Sequence, residues 1–119
     1  MKWDKGGLIE GDGSFVNVSG IPSNITQIKN GIYRVTTDTA NNSGKSRRYV
    51  NEDDNNYSLW FFDLYQTWAI KGSGLYGNVD YALLGLDGDN PYGTCTELHD
   101  TVLAETILDN ANIVLSKDK

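Results

Sequence analysis

The sequence is poor in the residues that chemistry most often uses. Cys95 is the sole cysteine and His99 the sole histidine among 119 residues. One cysteine excludes an internal disulfide and a cysteine-based zinc site. One histidine leaves a Ser-His-Asp triad no choice but His99, and no nucleophile-elbow pattern accompanies it. No apolar run reaches the roughly 20 residues of a membrane-spanning helix. Met1-Lys2-Trp3-Asp4 does not open a secretory leader, so the expectation for a complete chain is the cytoplasm. Four Asn-x-Ser/Thr sequons, at Asn17, Asn24, Asn41 and Asn56, point instead to an exported life. Basic residues are also scarce. Ten Lys and Arg stand against 16 Asp and Glu, for a formal net charge of −6. Such a chain repels phosphate backbones. The one basic cluster, Lys45, Arg47 and Arg48, is followed closely by Asp53 and Asp54. Neither nucleic acid nor a membrane is an expected partner.

What is abundant points to β structure. Three Trp, seven Tyr and three Phe stand beside 13 Gly and 12 Asn. Aromatic and β-branched side chains suit pleated sheets, whereas Gly and Asn suit tight turns. The length fits a single domain over residues 1–119, large enough for its own core. Phe15-Val16-Asn17-Val18-Ser19 reads as a first strand, followed by a loop at Gly20-Ile21-Pro22-Ser23-Asn24. Further strands read as residues 32–37, 47–50, 57–62, 67–70 and 79–84. The connections between 47 and 70 are short enough to demand antiparallel pairing. Residues 15–84 are thus expected to form a β-meander core, with a Gly-rich connection at 71–78. Leu59 and Phe61 alternate with Trp60 and Phe62, which makes that strand apolar on both faces.

The C-terminal part reads differently. Thr94 and Glu97 have capping-box spacing, and Leu98, Val102, Ala104, Leu108 and Ala111 follow an approximately helical stripe. The spacing predicts a helix within residues 94–111, with a hairpin through 109–112 as the competing alternative. Residues 113–115 add a last strand. The expected fold class is mainly β: an antiparallel meander or small barrel with one C-terminal helix.

Three loops concentrate acids: Glu10 with Asp12, Glu52 with Asp53 and Asp54, and Asp87 with Asp89 and Asn90. Calcium takes six to eight oxygen ligands in flexible geometry, so Asp87, Asp89 and Asn90 are the candidate metal ligands. A solvated turn is the ordinary alternative, and no other cofactor is expected. Spacing cannot set two of these acids face to face across a sugar, as a glycosidase would require. The aromatics Tyr57, Trp60, Tyr65, Trp68, Tyr76, Tyr81 and Tyr92 supply the stronger hint of a contact surface, because such rings stack on sugars and anchor protein interfaces. Trp60, Trp68, Tyr65 and Tyr76 are the candidate ligand-binding residues, with Trp60 or Trp68 expected to be exposed.

Two local resemblances bear on function. Val16-x-Val18-Ser19-Gly20, Asn30-Gly31-x-Tyr33, Tyr49-x-Asn51, Tyr57-x-Leu59-x-Phe61, Trp68-x-Ile70 and Tyr81-Ala82 follow one another in order. Together they resemble a small β-meander module, often repeated in large proteins of eukaryotic microbes, that implies a non-catalytic recognition or structural role. Residues before Phe15 and after Leu84 depart from that pattern. Separately, Gly7-Leu8-Ile9-Glu10-Gly11-Asp12-Gly13-Ser14-Phe15 resembles the core of the LAGLIDADG homing endonucleases, whose helix ends in a metal-binding acid, here Asp12 or Glu10. That family also needs long helices after its first strand pairs and basic strands to lie on DNA, and the sequence shows neither. The similarity is therefore read as coincidental.

The expected function is a non-catalytic binding or assembly module with a protein or glycan partner. The alternatives are a LAGLIDADG-like endonuclease, or an acidic mimic of nucleic acid that blocks a basic partner. A glycan binder exposes two or more aromatics beside Asn and Asp, and an assembly unit exposes a contiguous apolar patch. An endonuclease needs a helix over residues 3–13, and a mimic needs carboxylates ranked on one face.

Overall fold

The computed structural model describes residues 15–37, 47–74 and 77–118. The acidic motif around Glu10 and Asp12 lies outside them. Among the described residues ten strands form, β1 (Phe15–Ser19), β2 (Gly31–Thr37), β3 (Arg48–Asn51), β4 (Ser58–Phe62), β5 (Thr67–Gly74), β6 (Gly77–Leu84), β7 (Gly93–Cys95), β8 (Glu97–Asp100), β9 (Glu105–Leu108) and β10 (Ile113–Ser116). All pair antiparallel in one curled sheet, a half-barrel of order β7-β10-β1-β2-β3-β4-β5-β6-β8-β9. The first six strands are a meander, each beside its predecessor.

Period-two alternation decides what each strand buries. Inward-facing residues meet across the ladders, as Val35 opposite Tyr49, Tyr49 opposite Leu59, Leu59 opposite Ile70, Phe61 opposite Trp68, and Leu83 opposite Leu98. Trp68 lies at the centre, fully buried, with the rings of Phe61 and Tyr49 edge-on at 5.7 and 6.1 Å. Edge-to-face contacts of this kind add to the stabilisation from area alone.

Two loops cover the inner face. Residues 20–30 place Ile21 and Ile28 in the core, and residues 85–92 place Leu86 and Pro91 there. The first loop is pinched shut by Asn30. Its Oδ1 accepts from the Ile21 amide at 3.0 Å, and its Nδ2 donates to the Ile21 carbonyl at 3.1 Å. The same loop presses on β5 so closely that a Cβ at Gly72 would stand 1.7 Å from the Gln27 carbonyl oxygen. The second loop caps Trp68, whose indole Nε1 donates to the Gly88 carbonyl at 2.8 Å.

The predicted C-terminal helix does not form. Residues 93–116 instead make one long bent hairpin, β7 and β8 against β9 and β10. Leu98 and Asp100 point inward on β8, with the half-buried His99 between them. Asp100 fixes the reversal, its Oδ1 accepting from the amides of Val102 and Leu103 at 2.9 Å each. Such an Asx turn competes with a helix for the same backbone donors, and Ala104, at φ 55°, takes a left-handed conformation that ends any helical run. The Gly-rich connection expected at 71–78 is also mostly strand, because β5 and β6 pair out to Gly74 opposite Gly77.

The C-terminal hairpin claims both edges of the meander, β8 pairing with β6 and β10 with β1. Thr96 alone separates β7, at one end of the strand order, from β8, next to the last strand at the other. The Thr96 carbonyl accepts from the Ala111 amide at 2.9 Å across the bend. Gly20 lies against this seam with φ +90°, where a Cβ would stand 2.2 Å from the Asn112 carbonyl oxygen.

Gly72→Ala is expected to lower the urea unfolding midpoint by the equivalent of about 2 kcal/mol or more, since the backbone of loop 20–30 must move to admit a methyl group. Gly88→Ala, which meets only an ordinary contact at 3.5 Å, is expected to stay within about 0.5 kcal/mol of wild type. Stability should also fall at alkaline pH. Burial pushes the Cys95 thiol up to about 11, and burial likewise raises the phenols of Tyr33 and Tyr81. From about pH 9 the unfolded thiol ionises while the folded one holds its proton, so stability drops by up to about 1.4 kcal/mol per pH unit until the folded value is reached. Thermal midpoints measured from pH 8 to 10.5 should decline, and Cys95→Ala should flatten the first part of that decline.

Candidate functional site

The outer face of the sheet carries a connected row of aromatics. Trp60, Ala69, Ala82 and His99 are successive ladder partners across β4, β5, β6 and β8, so all four share this face. Ala69 and Ala82 are fully buried although they point outward. Larger side chains therefore lie over them, and two alanines make room for that. The Trp60 indole Nε1 donates to Asp80 Oδ1 on β6 at 2.9 Å, which carries the ring across β5. Phe62 meets the Trp60 ring edge-on at 5.4 Å, Tyr65 stacks on Phe62 at 5.6 Å, and His99 lies 5.3 Å from Tyr65. These four side chains are half-buried, each leaving ring surface to solvent. Tyr65 is held in the tight turn 63–66, where Gln66 takes φ 52° and its Nε2 donates to the Asp63 carbonyl at 2.7 Å and to Asp63 Oδ1 at 2.8 Å.

Beside this row lies a polar depression of about 230 Å³ lined by Arg48, Val50, Asn55, Asn56, Ser58 and Lys71. Arg48, Val50, Ser58 and Lys71 come from adjacent outward positions of β3, β4 and β5. Asn55 and Asn56 come from the β3–β4 loop, which Asn51 organises. Asn51 Oδ1 accepts from the amides of Asp53 and Asp54 at 2.9 and 3.1 Å, and its Nδ2 donates to the Asn30 carbonyl at 3.3 Å. Asp54 Oδ1 then accepts from the Asn56 amide at 3.0 Å. Arg48 joins depression to row. Its guanidinium carbon stands 5.8 Å from the centre of the Trp60 ring, and its Nη2 donates to Ser58 Oγ at 3.4 Å.

Of the four aromatics singled out from the sequence, the structure brings Trp60 and Tyr65 together through Phe62. Trp68 is a correction: it is wholly buried on the opposite face with its N–H satisfied, and has no surface to offer. Tyr76 lies outside the described residues. Asp87, Asp89 and Asn90 are exposed in the loop over Trp68. Among the described residues no three His, Cys, Asp or Glu side chains converge as a metal site would require. Sequence reasoning missed Phe62, His99, Asp80, Lys71 and the depression. Alternation within residues 59–62 already put Phe62 beside Trp60, and small residues at 69 and 82 were the signal that large neighbours lie across them. Asp80 and His99 could be found only from strand register.

A second depression, of about 380 Å³, lies along β7 and β10 between Tyr92 and Asp118. Its one aromatic, Tyr92, spends its hydroxyl on the Phe15 carbonyl at 2.8 Å. The outer-face row is thus the better site, with three half-exposed rings beside carboxamides and cations.

The two described tryptophans should differ in solvent access. In a Trp3→Phe background, Trp60→Phe is expected to remove most acrylamide-quenchable emission, whereas the emission remaining in that double variant, from Trp68, should be poorly quenched. Equal quenching of the two would overturn the assignment of faces. Comparison of the chain with protein-family models, with curated proteins and with solved structures gives no match.

Proposed function

We propose that this chain is a non-catalytic glycan-binding module whose ligand lies on the outer face of β3 to β6. The observation that carries this is the contiguity of the Trp60–Phe62–Tyr65 row with a depression lined by Asn55, Asn56 and Ser58. Sugar rings present apolar C–H faces to aromatic rings and hydroxyls to carboxamides, so a platform of one kind beside a cluster of the other matches both. The rings are also pre-positioned. Trp60 is tied to Asp80 and Tyr65 is fixed by its turn, so little side-chain freedom is lost on binding.

An assembly unit would be favoured by a contiguous apolar patch. Among the described residues the strongly exposed large apolar side chains are Leu64 in the β4–β5 turn and Val102 and Leu103 in the β8–β9 turn. The ladders place those turns at opposite ends of the sheet. The described carboxylates are likewise spread over several turns, which adds nothing to nucleic-acid mimicry.

Calorimetric titration with a panel of soluble oligosaccharides tests the proposal. At least one class is expected to bind, and Trp60→Ala should weaken it about tenfold or more, the loss of roughly 1.4 kcal/mol of stacking, with an unchanged circular dichroism spectrum. Tyr65→Ala should weaken it less. Absence of binding across the panel, or binding indifferent to both variants, would overturn it.

A further inference from the structure

We infer that the glycan bound on this face is anionic, with its carboxylate or sulfate group seated between Arg48 and Lys71. This rests on the glycan-binding proposal and adds the ligand's charge. The chain carries a net charge of −6, yet the six residues lining the depression include two cations and no carboxylate. The nearest basic neighbour described on this face is already paired. Arg34, opposite Val50 in the ladder, is paired through Nε to Glu52 Oε1 at 2.9 Å. Among the described residues, by contrast, neither Arg48 nor Lys71 lies within ion-pair distance of a carboxylate. Asp80, which faces Lys71 across the β5–β6 ladder, turns Oδ1 to the Trp60 indole instead.

The two cations stand where an acidic sugar would need them. The Arg48 guanidinium lies over the Trp60 ring, so an acidic sugar that reaches this end of the aromatic row meets it with its charged substituent. A guanidinium offers parallel N–H donors that match a carboxylate or sulfate in bidentate fashion. Its existing bond to Ser58, at 3.4 Å, is long and easily exchanged for an ionised acceptor. Lys71 supplies a second charge from β5, across β4 from Arg48, and Asn55 and Asn56 remain for the hydroxyls. The negative field of the whole chain opposes such a ligand at long range, so recognition must come from these short contacts. A neutral glycan would leave both cations without a counter-charge.

The test titrates the intact protein with four glycans of similar length: a uronic acid polymer fragment, a sulfated galactan, the same galactan after desulfation, and a neutral glucan. One of the two acidic glycans should bind about tenfold more tightly than the neutral ones, and which it is identifies the acid group. Arg48→Gln and Lys71→Gln should each lower affinity for the acidic glycan several-fold more than affinity for the neutral ones, removing most of that preference, whereas Trp60→Ala should diminish both alike. Arg48→Lys should keep part of the preference. Melting temperatures near wild type establish that the variants fold. Equal affinity for acidic and neutral glycans would overturn this inference and leave the glycan-binding proposal standing. Acid-selective binding indifferent to both charge variants would overturn the assigned seat. No binding to any of the four, nor to the wider panel, would defeat the proposed function itself.

Discussion

Between Cys95 and Glu97 the chain turns a corner one residue wide, and most of the architecture follows from it. A flat six-stranded meander has two open edges, each a row of unpaired backbone groups. Here one hairpin supplies β8 to one edge and β10 to the other, and the sheet must curl for both pairings to hold at once. Curling brings the inner side chains together around Trp68 and, among the described residues, leaves free edges only on β7 and β9, of three and four residues. Edges that short are poor templates for another chain. Gly20 marks the tolerance of the closure, because the backbone of Asn112 occupies the space a side chain would need.

The curl also divides the work between the faces. Inside, Trp68, Tyr49, Leu59 and Ile70 are packed until nothing reaches solvent. Outside, the sheet is convex and no second layer is available among the described residues. The aromatic row supplies a thin cover of its own over Ala69 and Ala82, anchored by the bond from Trp60 to Asp80. A ring held this way stabilises the sheet beneath it and still presents a surface outward. Structural and binding roles therefore coexist in the same residues, and Trp60 is where they overlap most.

The Asn-Gly-x-Tyr and Tyr-x-Asn elements acquire a physical meaning from the loops they lock. Asn30 closes loop 20–30, the Tyr33 hydroxyl donates to the Lys29 carbonyl at 2.6 Å, and Asn51 joins that loop to the β3–β4 loop through the Asn30 carbonyl. Asparagine suits both places because one carboxamide can accept and donate at once. These residues touch no candidate ligand. They hold Asn55 and Asn56 at the rim of the depression, so the most motif-like part of the chain is scaffold, and its chemistry-bearing neighbours lie a few residues away.

Strand periodicity is a local property, and the sequence by itself determined the β class, the strands from 15 to 84 to within a few residues, and the alternation that sets Leu59 and Phe61 on one face and Trp60 and Phe62 on the other. A run such as Leu59-Trp60-Phe61-Phe62 does not say which pair is inside, because either face could be covered. The loops carrying Ile28, Leu86 and Pro91 decided it by packing against Phe61, Trp68 and their neighbours. The 94–111 segment was misread because capping-box spacing and an Asx turn draw on the same side-chain chemistry. Pairing with β6 and β1 settled it, through partners up to about a hundred residues away in the chain. Likewise no local rule joins Arg48, Trp60, Asp80 and His99. Only register across β3 to β8 sets them on one face, so the site existed in the sequence as scattered residues and became a surface through tertiary structure.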